Sequence, residues 1–182
     1  GPVFPQYPEG TPDWLVRANP LYVDWGTRGQ LVETGRTGNV LMRREPVERA
    51  RLRFDPELGA TGGEDTEFFR ALARSGVRMV VTDDARIWEE APPDRLRPGY
   101  LRRRSLRKGQ SYARFRLRDI GGTRFGRMLF FADALAKTAA ATAGAAALRP
   151  FDRARSLQLA LKGWMNAGKL RELPGWPLPR MY

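Results

Sequence analysis

Gly62-Gly63-Glu64-Asp65-Thr66-Glu67-Phe68-Phe69-Arg70-Ala71-Leu72-Ala73-Arg74-Ser75-Gly76-Val77-Arg78-Met79-Val80-Val81-Thr82 is the stretch on which the fold turns. Two glycines deliver the chain into a segment whose apolar residues, Phe68, Phe69, Leu72 and Ala73, recur at helical spacing. Gly76 stands where a helix ends in a left-handed cap, so the spacing predicts a helix over 64–75. Val77 to Thr82 is β-rich and predicts a strand. Three carboxylates occupy the first turn of the helix, where the macrodipole favours negative charge. That alone accounts for them as helix-start chemistry. The functional alternative is a carboxylate on a glycine-rich edge that removes a proton from an incoming hydroxyl.

Downstream of this unit, Asp83-Asp84-Ala85 leads into a second short extended run, Arg86-Ile87-Trp88. Asp83-Asp84 could hold a divalent cation, but a polar turn between two strands is the preferred reading. Glu89 and Glu90 close the run before Pro92-Pro93, and only one of two adjacent strand residues can face a cleft. Asp94 to Arg118 reads as a basic helix interrupted at Gly109, and Gly121-Gly122 as a linker. Arg124 to Leu148 is a long Ala-rich helix with a possible break at Gly144, ended by Pro150. Asp152 to Leu170 is a last helix with Asp152 as N-cap candidate, and the tail from Pro174 carries no pattern. Upstream, the prolines of residues 1–20 predict an extended segment with a short helix around Trp14-Leu15-Val16. Loop and short strand follow over 21–38. Val40-Leu41-Met42 reads as a buried strand and Pro46–Arg53 as a short helix. Strands and helices alternate first and helices alone come later, which predicts an α/β body with an all-helical extension.

Composition narrows the chemistry. The 182 residues include no cysteine and no histidine. Disulfides, thiolate zinc sites, cysteine nucleophiles and histidine bases are therefore excluded. A general base must be a carboxylate or, less naturally, Lys or Tyr. A metal must be held by oxygen ligands, which points to Mg2+ or Mn2+. The hydrophobic share of 42% is enough for a core. The net charge is +12, and residues 102–127 hold ten Lys or Arg against Asp119. Such a surplus suits an anionic partner: a diphosphate, an acidic membrane surface or nucleic acid. Nucleic acid is the least favoured, because the aromatic residues sit in apolar runs rather than as a stacking platform. Met128 to Leu148 is nearly long enough to span a bilayer. Asp133 and Lys137 argue instead for a helix packed in the protein or lying at a membrane interface.

Several stretches in order resemble the inverting, GT-A type glycosyltransferases of family 2. They are Gly1-Pro2-Val3-Phe4-Pro5 with Trp14-Leu15, Thr37-Gly38-Asn39-Val40-Leu41-Met42-Arg43-Arg44, and Phe54-Asp55 followed by Gly62-Gly63-Glu64-Asp65-Thr66-Glu67-Phe68. Gly76-Val77-Arg78 to Ala85-Arg86-Ile87-Trp88-Glu89 follows, then Pro92-Pro93-Asp94-Arg95-Leu96 with Arg103-Arg104 and Gly109-Gln110-Ser111. The resemblance covers about residues 1–118 and is nearest to bacterial enzymes that build polysaccharides and related glycoconjugates. It implies a partial GT-A-like mixed sheet with flanking helices over 1–118, and a helical extension over 119–182 that is a candidate for membrane association. It implies Asp65 as general base, with Glu64 shaping the acceptor site. It also implies Gly62, Gly63 and Asn39 as acceptor-binding positions, and Arg103, Arg104 and Lys108 as cations for the leaving diphosphate. The partners implied are a nucleotide-diphosphate sugar and a hydroxyl acceptor, glycan or lipid-linked. The location implied is cytoplasmic and peripheral, at the inner face of the bacterial membrane.

The chain departs from the family in two places. Many relatives carry a histidine where this chain reads Trp88-Glu89-Glu90-Ala91; either a carboxylate substitutes, with Glu90 or Glu89 as metal ligand, or the metal is held without it. The nucleotide-binding half, with its Asp-x-Asp metal motif, would precede Gly1. The expectation is therefore the acceptor-side half of a longer enzyme. A basic nucleic-acid-binding module and a non-catalytic membrane-surface protein are the rival readings.

Overall fold

The structure, a computed structural model, describes residues 1–58, 63–120 and 123–173. It is mixed α/β with helices in the majority. The elements in chain order are β1 (Val3–Gln6), α1 (Asp13–Ala18), β2 (Leu31–Val32), α2 (Arg44–Arg49), α3 (Glu64–Arg74), β3 (Met79–Val80), β4 (Ile87–Glu90), α4 (Pro93–Leu96), α5 (Pro98–Asp119), α6 (Arg124–Leu148) and α7 (Arg153–Leu170). The Gly121-Gly122 linker and the tail from Pro174 lie outside the described residues. The chain divides into two compact units. The first takes Gly1–Gln6 and Leu21–Glu90; the second takes Tyr7–Pro20 and the described residues from Ala91 onward.

In the first unit, β1 pairs in parallel with β4, and β2 pairs antiparallel with β3. The β-structure is thus two separate two-stranded pieces among the described residues, one parallel and one antiparallel, compatible with the partial α/β fold expected. The core is the apolar stripe of α3. Phe68, Phe69 and Leu72 are buried, with Val47, Leu52, Val77 and Met79 packed against them. Phe54 stacks on Phe68 with ring centroids 4.2 Å apart. Gly63 (φ 104°) and Gly76 (φ 87°) bracket α3 in left-handed conformations that other residues adopt only under strain. The expected strand at Val40-Leu41-Met42 is absent. These residues form an exposed loop, with Leu41 99% exposed. Three apolar residues in a row have no preference for a strand over a loop until a partner strand supplies hydrogen bonds.

In the second unit α7 is the central helix, packing on α5, α6 and α1. Gly109 does not interrupt α5, and Gly144 does not break α6. Both glycines serve packing instead. A Cβ on Gly109 would collide with the carbonyl of Met165, and one on Gly168 with that of Leu106. A Cβ on Gly144 would press on Leu159 at 3.0 Å. Asp152 caps α7 as expected, accepting from the Arg155 amide at 3.1 Å. Lys169, buried on α7, donates to Asn166 Oδ1 at 2.8 Å and lies over the Tyr112 ring of α5.

Two predictions follow from this packing. Gly109→Ala should lower stability by about 1–3 kcal/mol, because the steric cost at the crossing exceeds the gain of under ~1 kcal/mol in helix propensity; thermal melts check it. Burial, and secondarily the Lys137 ammonium, hold the Lys169 amine below its ordinary 10.5, against a smaller opposing pull from Asp133. Between the lowered value and 10.5 the unfolded chain binds the extra proton, so stability rises with pH across that window. Urea titrations should show the chain gaining on a Lys169→Met variant as pH rises from 7 toward 10.5. A constant difference would contradict a buried, destabilised ammonium.

Candidate functional site

The candidate site lies within the first unit, where α3 meets the loop 34–43. Gly35 lets this loop approach the helix: a Cβ there would sit 3.0 Å from the Phe69 ring. The loop then turns through a short 3-10 segment, Thr37–Asn39. Thr37 Oγ1 donates to Asp65 Oδ1 at 2.9 Å, fixing one oxygen of the carboxylate at the start of α3. Asp65 and Phe69 are four residues apart and share a side of the helix. Phe69 lines a cavity of about 320 Å3, open to solvent, that also borders Gly38 and Asn39.

The walls of this cavity combine Phe69, Leu72, Trp25 and Met42 with the cationic Arg36, Arg43 and Arg78. Thr34 contributes a hydroxyl that is buried without a hydrogen-bond partner among the described residues. Outside the cavity lining, which includes neither Glu64 nor Asp65, Glu64 Oε2 is also buried and unpartnered among the described residues. Buried acceptors and hydroxyls in native proteins are normally satisfied, so each is a place for a ligand or water to bond. Apolar walls with a few convergent polar groups are the usual make-up of a small-molecule site.

Of the residues singled out in the sequence, Asp65 and Glu64 start α3, and Gly63 precedes them with positive φ. Gly62 lies outside the described residues. Asn39 borders the cavity, yet its amide is engaged in the scaffold. Nδ2 donates to the Pro2 carbonyl at 3.0 Å and to the Ala85 carbonyl at 2.6 Å, tying β1 to the turn before β4. On β4, Glu89 borders the cavity and Glu90 is not among its lining residues, in keeping with the alternation of strand side chains. No group of three or more acidic side chains that could hold a metal occurs among the described residues. Asp83 and Asp84 form a polar turn, with Arg28 Nη1 2.9 Å from Asp84 Oδ2. Arg103, Arg104 and Lys108 belong to the second unit, on α5. There Arg104 Nη1 donates to the Pro20 carbonyl at 2.9 Å, so part of its role is to hold that unit together.

The chain is similar to the succinoglycan biosynthesis protein ExoM of Rhizobium meliloti (strain 1021), with 30% identity over 179 residues. The aligned region is 96% of this chain and 56% of that protein. The chain therefore spans about half the length of the curated relative it matches. No protein-family model matches the chain, and no solved structure matches it.

Trp25 and Arg36 were not singled out in the sequence, and Arg43 and Arg78 stood inside quoted stretches without a role assigned to them. All four come from loops and strand edges without periodicity, so nothing local marks them as cavity residues. The dual hydrogen bond of Asn39 carries its own consequence. Asn39→Ala should destabilise the first unit by about 1 kcal/mol, because it removes two tethering hydrogen bonds while the Pro2 carbonyl keeps the Ile87 amide and the exposed Ala85 carbonyl gains water. Thermal unfolding of the unliganded protein measures it.

Proposed function

We propose that this chain supplies the acceptor side of a sugar-transfer reaction. In this reading a sugar moves from a nucleotide-diphosphate donor to a hydroxyl acceptor, with inversion, in the synthesis of a bacterial polysaccharide or related glycoconjugate. The observation that carries it is the Asp65 carboxylate, held by Thr37 one helical turn before Phe69, whose ring lines the cavity, although Asp65 itself is not among the lining residues. The relative's name, which assigns it to succinoglycan biosynthesis, and the ordered resemblance to family 2 glycosyltransferases support the same chemistry.

The reaction needs a base, because a neutral hydroxyl is a poor nucleophile. With no histidine or cysteine in the chain, a carboxylate is the natural choice. Thr37 engages Oδ1 and orients the group, which leaves Oδ2 to take the acceptor proton. As the acceptor oxygen bonds to the anomeric carbon, the bond to the donor diphosphate breaks on the opposite face. Glu64, with its buried Oε2, would accept a second hydroxyl of the acceptor and fix its pose. Trp25 and the apolar wall would cover the sugar face, and Gly62 and Gly63 would allow close approach. The family resemblance alone would give Arg103, Arg104 and Lys108, which belong to the second unit, the part of neutralising a diphosphate. Mg2+ or Mn2+ would supply further charge neutralisation. On β4 Glu89 borders the cavity and would be the oxygen ligand this strand offers such an ion.

The test uses the longest product of the gene with a panel of nucleotide-diphosphate sugars and radiolabelled transfer as readout. Asp65→Asn should lower kcat by about 10²–10⁴-fold with the fold intact by circular dichroism. Thr37→Val should lower it less, about tenfold, by loosening the carboxylate. Transfer by Asp65→Asn within threefold of the parent would sink the assignment of Asp65 as base.

A further inference from the structure

The cavity of the first unit carries cationic charge that nothing opposes. Arg36 and Arg43, from the loop that meets α3, and Arg78, immediately before β3, all line it. Against these three the lining sets one carboxylate, Glu89. None of the three guanidinium groups makes a hydrogen bond or ion pair among the described residues. Four arginines of the same unit that lie off the cavity are all engaged. Arg28 holds Asp84 at 2.9 Å, Arg44 holds Glu48 at 2.6 Å, Arg49 pairs with Glu45, and Arg86 Nε donates to the Asp83 carbonyl at 3.0 Å. Like charges around one opening repel one another and raise the potential inside it, so an anion there is favoured.

The remaining walls say what kind of anion. Trp25, Met42, Phe69 and Leu72 present apolar surface, which a bare inorganic ion does not use. A ligand that answers both features has a ring or other carbon body and a negative group at one edge. A carboxylate or a phosphate ester matches the planar fork of a guanidinium with two parallel hydrogen bonds. A neutral sugar would cover the apolar wall and leave the arginines unanswered. Asp65 is not among the lining residues, so recognition of the charge and removal of the proton fall to different groups.

We propose that the acceptor received by this cavity is an acidic sugar unit, whose carboxylate or phosphate ester is held by Arg36, Arg43 and Arg78 while its ring lies on the apolar wall. This rests on the reading of the chain as the acceptor side of a sugar transfer and adds the charge of the acceptor to it.

Calorimetry on the longest product of the gene, with no donor present, tests it with methyl glucuronide, glucose 6-phosphate, methyl glucoside and uridine diphosphate. Methyl glucuronide or glucose 6-phosphate should bind about tenfold more tightly than methyl glucoside, and the tighter of the two identifies the anionic group. Each of Arg36→Gln, Arg43→Gln and Arg78→Gln should cut that preference by about threefold to fivefold, the screened contribution of an exposed cation. Arg53→Gln, which removes an exposed charge of the same unit away from the cavity, should leave it intact. Equal binding of the acidic and neutral sugars overturns the proposal. So does a preference that survives the Arg36→Gln/Arg43→Gln/Arg78→Gln triple variant. Uridine diphosphate bound through the same arginines, more tightly than either acidic sugar, also overturns it, by giving these cations to the donor. The transfer assay separates this proposal from the reading beneath it. Transfer that depends on Asp65 but runs equally on methyl glucoside and methyl glucuronide keeps the base and removes the acidic acceptor. Arginine-dependent binding of the acidic sugar without Asp65-dependent transfer does the reverse.

Discussion

The buried ring of Phe69 is the constraint around which the first unit is arranged. It is wholly inaccessible to solvent and pressed by the loop at Gly35, with Phe68 edge-on against it at 5.3 Å between centroids. Any larger residue at 35 would push the loop off α3. Thr37 would then lose Asp65, and the wall formed by Phe69 and Leu72 would open. The carboxylate and the cavity are coupled through this one packing contact, since both depend on the distance between loop and helix. Burying a phenylalanine side chain is worth about 1.5–3 kcal/mol, several times the net value of the exposed Thr37–Asp65 hydrogen bond. Packing sets the geometry, and the hydrogen bond refines it.

The second unit obeys a different constraint. Two glycines, Gly109 on α5 and Gly168 on α7, bring backbones into contact where any side chain would intervene. The close crossing places Lys169 against Tyr112 and leaves its ammonium with Asn166 as hydrogen-bond acceptor. Ser156 Oγ donates to the Ala145 carbonyl at 2.7 Å, so α7 also approaches α6 closely. Small residues thus do on α6 what they do at the crossing. Alanines toward α7 permit tight packing, and those on the far side form a smooth surface without charge.

Helix positions were highly legible in the chain. The pattern of Phe68, Phe69 and Leu72, the cap at Gly76 and the N-cap at Asp152 are each local, and each appears in the structure. The preference for a polar turn at Asp83-Asp84 also holds, because Asp and Asn chemistry in turns is local too. The strand expected at Val40 to Met42 failed for the complementary reason. A strand is defined by its partner, and no strand among the described residues pairs with those residues. Gly109 and Gly144 were read as interruptions because glycine has low helix propensity. The cost is offset by a neighbouring helix, and propensity contains no information about neighbours.

The candidate site divides along the same line. Residue types and spacing were enough to mark Glu64 and Asp65 as acids at a helix start, to exclude histidine and cysteine chemistry, and to locate the basic stretch and the Ala-rich helix. Those features depend on composition and on periods of a few residues. Contacts between residues tens of positions apart settled everything else. Thr37 reaches Asp65 across 28 positions, and Asn39 reaches Ala85 across 46. Glu89 rather than Glu90 borders the cavity, and one side of α6 is left without a packing partner among the described residues. A hydrogen bond or a cavity wall depends on distances in space, which only the folded chain brings into being.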